Sequence, residues 1–175
     1  MNKYPNLMLS ANIAGSGKDT VANYLVEEYG YYQIAFADPV YFIAREYFGM
    51  KQKNRRVLQE IGQKMRQINE QVWANYAIKR ASKIKNQPIV ISDMRQFNEF
   101  DVGVKNGFMP VRIYSDREVA IERMKQRDGQ VDITILDGTM EDQTRQINMP
   151  QIENNGTKEE LYASIDDFIK RLKRD

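Results

Sequence analysis

The sequence predicts a three-layer α/β domain built around a parallel sheet of about five strands. Two observations carry the prediction. Short apolar runs alternate with stretches of helical spacing along the whole chain, and the first apolar run opens through a glycine-rich loop directly into a helical pattern. A third observation is negative. No internal repeat, heptad run, low-complexity tract or linker divides the chain, so residues 1–175 read as one domain, large enough for a real core.

In chain order, residues 6–12 read as a buried strand and 18–29 as a helix whose pattern Val21, Tyr24, Leu25, Glu28 ends at the C-cap glycine Gly30. Tyr31 to Ala35 is a second short strand. Asp38-Pro39 starts the next helix, since proline is tolerated in a first turn, and Val40, Ile43, Ala44 and Tyr47 form its inner stripe before Gly49. A basic run from Lys51 to Arg56 precedes a stripe of Val57, Leu58, Ile61, Met65 and Ile68, and Val72, Trp73, Tyr76 and Ala77 begin a further helix reaching about Lys85. This helical block is longer than a crossover needs. Pro88 to Asp93 is an apolar run closed by an acid, as in a central parallel strand. Phe97, Phe100 and Val104 mark a helix stopped by Gly107, and Met109, Val111 and Ile113 alternate as a strand. Ser115 with Glu118 is expected to form a capping box for the helix of Ala120, Ile121 and Met124. Residues 128–149 have weak periodicity and read as a mobile segment with little core. Residues 151–153 are a last strand, and Thr157 with Glu160 caps a final helix lined by Leu161, Ile165, Phe168, Ile169 and Leu172.

The loop Gly15-Ser16-Gly17-Lys18-Asp19-Thr20 has the parts of a phosphate-binding loop. Glycines let successive N–H groups turn toward one anion, lysine reaches the β/γ oxygens of a nucleotide, and the following helix presents its N-terminus. Against the pattern G-x-x-x-x-G-K-[ST], Asn12 replaces the first glycine, an exchange expected to rest on asparagine's tolerance of positive φ. Asp19 replaces the hydroxyl residue that normally binds Mg²⁺, leaving that role to Asp19 through water or to Thr20.

Composition narrows the chemistry. Apolar content of 42% and charged content of 29% are ordinary, and 26 Lys plus Arg against 24 Asp plus Glu give a net charge of +2, with no global attraction to nucleic acid or membrane. Zero cysteine and zero histidine exclude thiolate nucleophiles, zinc-thiolate sites and imidazole bases. Phosphoryl transfer run by Lys, Arg, Asp and Mg²⁺ remains open. No signal peptide or membrane span is seen, so a cytoplasmic location is expected.

Lys18 is the candidate cation for a transferring phosphate; a merely solvated lysine there would oppose the helix dipole. Asp93 closes the third strand as a carboxylate able to hold Mg²⁺ through water, or else as an N-cap for the next helix. Arg95 lies on the same rim and suits an acceptor phosphate through its bidentate fork. Arg123 and Arg127 are four apart on one helix face, where they either meet an anion between them or stand as a solvated pair.

Several segments resemble bacteriophage-type deoxynucleoside monophosphate kinases: Gly15 to Ala22, Phe36-Ala37-Asp38-Pro39, Leu58-Gln59-Glu60-Ile61-Gly62 with Trp73, Ile91 to Glu99, and Asn154 to Leu161. The resemblance covers most of the chain in order. It implies a P-loop nucleoside monophosphate kinase fold with a helical acceptor-binding region (37–86) and a lid (128–149), ATP as donor and a nucleoside monophosphate as acceptor. It further implies that Gly15, Ser16, Gly17, Lys18, Asp19 and Thr20 hold the ATP phosphates, that Asp38, Arg66 and Arg95 border the acceptor, that Arg123 and Arg127 close on the transferring group, and that Asn155 and Gly156 lie near the adenine. Tyr41 stands where that pattern prefers lysine, and Met140-Glu141 where a small polar residue precedes glutamate. Competing readings are a dephospho-coenzyme A type kinase, whose hydroxyl acceptor would want Asp38 as base, a phosphomevalonate type kinase, and a non-metabolic nucleotide-binding module. The chain has no Asn-Lys-x-Asp guanine motif. A homodimer stays open.

Overall fold

A computed structural model gives the fold and describes residues 3–129 and 143–172. Five strands, β1 (Asn6–Ala11), β2 (Tyr32–Ile34), β3 (Ile89–Ile91), β4 (Phe108–Tyr114) and β5 (Gln151–Glu153), form one sheet in the order β2-β3-β1-β4-β5. Every pairing is parallel, with Leu7 beside Val90 and Leu9 beside Val111 fixing β1 between β3 and β4. The helices described are α1 (Lys18–Tyr29), α2 (Asp38–Glu46), α3 (Arg55–Ile68), α4 (Val72–Ala81), α5 (Phe97–Lys105), α6 (Arg117–Asp128) and α7 (Lys158–Leu172).

Alternation along β1 divides the core. Leu7 and Leu9 join Val21, Leu25, Val111, Ile113 and Ile165 in one cluster under α1 and α7, while Met8 turns the other way into a cluster with Ile34, Phe36, Ala74, Ala77 and Ile91. Helices α2 to α4 carry a smaller core of their own, in which Val40, Ala44, Ile61 and Trp73 pack together. The indole of Trp73 donates to the Gly62 carbonyl at 3.2 Å, pinning α4 to α3.

Three expectations are corrected. The first helix turn after β4 is not boxed by Ser115: Asp116 is the N-cap of α6, without a side-chain cap bond, and the Ser115 hydroxyl donates to the Asn154 carbonyl at 2.5 Å. Ser115 is fully buried, and a buried hydroxyl takes the nearest acceptor within the fold. The described end of 128–149 is not short of packing. Gln143–Gln146 forms a 3-10 turn, Thr144 and Met149 are buried, and Arg112 donates to the carbonyls of Thr144 (2.6 Å) and Ile147 (2.8 Å). Such a segment has no 3.6-residue period, so periodicity missed it. Residues 130–142 of the expected lid lie outside the described residues. The third is Asn12, whose φ is not positive.

At the last helix the expectation holds. Thr157 Oγ1 accepts the Glu160 amide at 3.2 Å and Glu160 accepts the Thr157 amide at 2.7 Å. Ile165 on that helix is fully buried against the sheet. Ile165→Ala is expected to cost about 2–5 kcal/mol of stability, read by urea unfolding.

Candidate functional site

All five strands point their C-terminal ends to one rim, where the loops 12–17, 35–37, 92–96, 115–116 and 154–157 meet. β1 occupies the middle of the sheet, so its loop is the centre of that rim.

The first loop is shaped by glycine and fastened by amides. Gly15 and Gly17 have φ of 85° and 86°, in the left-handed region that side chains avoid. A Cβ on Gly15 would stand 2.8 Å from the Ala120 carbonyl oxygen, and one on Gly17 would collide with the Asn154 amide. That amide donates to the Ser16 carbonyl at 2.8 Å, and the buried Ser16 hydroxyl turns back to the Ile13 carbonyl. Asn12 does not adopt positive φ; Asn86 alone among the described non-glycine residues does. Instead, Asn12 accepts the Ser115 amide at 3.0 Å and donates to the Ser115 carbonyl at 2.8 Å, a paired bond that a glycine could not make. No side chain caps α1 at its N-cap Gly17.

Lys18, only 15% exposed, donates to the Ser92 carbonyl at the end of β3 and lies 3.3 Å from the Asp19 carboxylate. The Asp19 side chain is itself 85% exposed. Thr20 is half-buried beside a cleft of about 480 Å³ whose walls include Gly17, Asn23, Arg123, Asn154 and Gly156. Arg123 is spent on this wall: it donates to the carbonyls of Asn154 (2.7 Å) and Gly156 (2.8 Å). Asn155 accepts the Asp116 amide at 2.7 Å. Arg127, four residues on, makes a bidentate pair with Asp128 at 2.8 and 2.6 Å. Arg123 and Arg127 therefore hold different partners.

On the opposite half of the rim, Asp93 does not cap α5, whose N-cap is Gln96. Its two oxygens accept the amides of Phe36 (2.7 Å) and Ala37 (3.0 Å) at the start of α2. Burial raises the Asp93 carboxyl above its ordinary range, outweighing those amides and the charges of Lys18 and Arg95. Asp38 accepts the Ala35 amide at 3.0 Å and pairs with Arg80 at 2.5 Å. Arg66 lies 3.6 Å from Glu99, and the exposed Arg95 shares the rim.

Residue reasoning missed Glu99, Arg80, Asn154 and the Asn12–Ser115 pairing. Gln96 followed by Glu99 three residues later is a capping signature that could have flagged Glu99, whose carboxylate accepts the Gln96 amide at 3.0 Å. Nothing local marks Arg80 as a partner for Asp38, 42 residues away.

Burial first, then the charge of Asp93, pushes Glu99 from 4.5 up to about 7, against the lowering by the Arg95 and Gln96 amides and by Arg66. A carboxyl with a raised folded-state pKa favours folding fully below its unfolded value and loses that contribution as pH rises through the folded one. The stability of wild type minus that of Glu99→Gln should therefore fall between pH 4.5 and about 7, read by urea titration at each pH. Gly17→Ala should cost at least about 1 kcal/mol from backbone strain and loosen nucleotide binding, read by unfolding and calorimetry.

The AAA domain family AAA_18 matches residues 12–148. The shikimate kinase of Acinetobacter baumannii in complex with shikimate superposes with a TM-score of 0.61 at 18% identity, covering 98% of this chain and 96% of that one. A gluconokinase from Sinorhizobium meliloti 1021 gives 0.58 at 16% identity over 98% and 97%, and dephospho-CoA kinase from Campylobacter jejuni gives 0.56 at 15% over 99% and 100%. The sequence matches no curated protein. The family match takes in the glycine loop, the Asp93 rim and α6 together, and the chain belongs to the AAA domain family AAA_18, with the fold of the P-loop small-molecule kinases.

Proposed function

We propose that this chain is a phosphotransferase that moves the γ-phosphoryl group of ATP to a nucleoside monophosphate, the deoxynucleoside kind being favoured by the sequence resemblance. The observation that carries the reading is the order of the sheet. The cleft formed by Thr20, Arg123, Asn154 and Gly156 lies toward β4 and β5, whereas Asp38, Arg66 and Arg95 lie toward β2 and β3. Lys18 leaves the central strand's loop and reaches β3 between them. A donor on one flank and an acceptor on the other would meet at that amine.

The glycine cradle and the uncapped first turn of α1 fit the phosphates of a nucleotide. No group of three or more carboxylates or other metal-binding side chains exists among the described residues, so Mg²⁺ would arrive with the nucleotide, with Asp19 exposed beside it and Asp93 acting through water. Its contribution when bound is cancellation of phosphate charge. A monophosphate acceptor with a second pKa of about 6 is already an oxyanion at neutral pH and needs no strong base, which suits a chain without histidine. The protein's own work is to orient both substrates and balance their charge with Lys18 and the rim arginines. A hydroxyl acceptor would need Asp38 as base, a carboxylate one of whose oxygens is held by the Ala35 amide and Arg80.

ADP release measured across the common ribo- and deoxyribonucleoside monophosphates, with dephospho-coenzyme A, shikimate and gluconate alongside, tests the proposal. Turnover with at least one monophosphate and none with the hydroxyl acceptors is expected; the reverse pattern would overturn it. Lys18→Ala should lose at least about 100-fold in turnover with the fold intact, comparable to removing one preorganised donor.

A further inference from the structure

We infer that Glu99 is a positioning residue that fastens the acceptor-side helix α3 to the rim loop, setting Arg66 and Arg95 from a single carboxylate. The inference rests on the acceptor assignment above but is argued from separate contacts. Glu99 lies in the first turn of α5 and its side chain is only 5% exposed, so it is withdrawn from solvent ions. One oxygen accepts the amides of Arg95 at 2.8 Å and Gln96 at 3.0 Å, which fixes the backbone from which Arg95 projects. The other oxygen faces the Arg66 guanidinium at 3.6 Å, an ion-pair distance rather than a hydrogen bond. Each oxygen thus serves a different element.

The neighbouring residue repeats the connection. Asn98 donates to the Glu70 carbonyl at 2.6 Å, in the turn between α3 and α4. Two successive side chains of α5 therefore reach to the end of α3, one by charge and one by a neutral bond. Helices α2 to α4 have their own small core around Trp73, so the orientation of that block against the rim is not dictated by the main core alone. A helix cap needs only the two amide bonds. The charge-to-charge arm to Arg66 is what a cap does not explain, and a buried carboxylate is retained at lower cost when a guanidinium faces it.

The test is a double-mutant cycle with Glu99→Gln and Arg66→Gln, read as KM and kcat on whichever monophosphate turns over fastest. Glu99→Gln should raise the acceptor KM about tenfold or more, as loss of a residue that orients a binding group does, with the ATP KM unchanged. In the Arg66→Gln background the same change should shift the acceptor KM clearly less than in the wild type, the remainder being the arm to Arg95, since coupled residues fail to add. Equal effects in both backgrounds would overturn the inference. Amide exchange of Arg66→Gln, a change at a half-buried surface residue, gives a reading without turnover. The amides of Arg95 and Gln96 should exchange faster while those of α7 do not; unchanged exchange at 95–96 would also overturn it. If no monophosphate is a substrate, the assignment of the acceptor fails and the exchange result still decides the role of Glu99.

Discussion

The Asn154 amide on the Ser16 carbonyl ties the first loop of the chain to the last, 138 residues later, and the rest of the rim is arranged around that bond. It closes β4 and β5 onto β1 from the loop side, and the Ser115 hydroxyl on the Asn154 carbonyl locks it from behind. The glycine at 17 is required twice over, once by its φ of 86° and once because the Asn154 amide occupies the space a side chain would need. Arg123, by holding the carbonyls on either side of Asn155, keeps the same strap from swinging away. The glycine loop is therefore held in place by bonds within the protein itself, from Asn154, Ser115 and Arg123.

The two halves of the rim solve different electrostatic problems. Toward β5, carbonyls and amides are satisfied by one arginine and two asparagines. Toward β2, two withdrawn carboxylates, Asp93 and Glu99, stand near Lys18, Arg66 and Arg95, and burial opposes their ionisation. Each is kept by backbone amides as well as by a cation, so neither depends on a single partner.

Much of this was legible in the sequence because it is local. The strand runs, the glycine loop, the Thr157–Glu160 cap and the apolar stripe of α7 all follow from spacing within a few residues, and all appear. What sequence reasoning missed is non-local. Asn12 reads as a residue tolerant of positive φ, yet its purpose is a paired bond to Ser115, 103 positions away. Ser115 reads as a cap because caps are local, yet burial commits it to Asn154. Arg123 and Arg127 share a helix face, but their partners, Asn154 and Gly156 for one and Asp128 for the other, could not be told apart from spacing.

The chain has a single tryptophan, Trp73, sunk between α3 and α4 with its indole nitrogen on Gly62. Excited at the red edge, where the ten tyrosines scarcely absorb, its indole emission comes from one address, the helical block of α2 to α4. Any rearrangement that parts those two helices would let water reach the ring and redden its light, so the molecule carries its own optical gauge of that block.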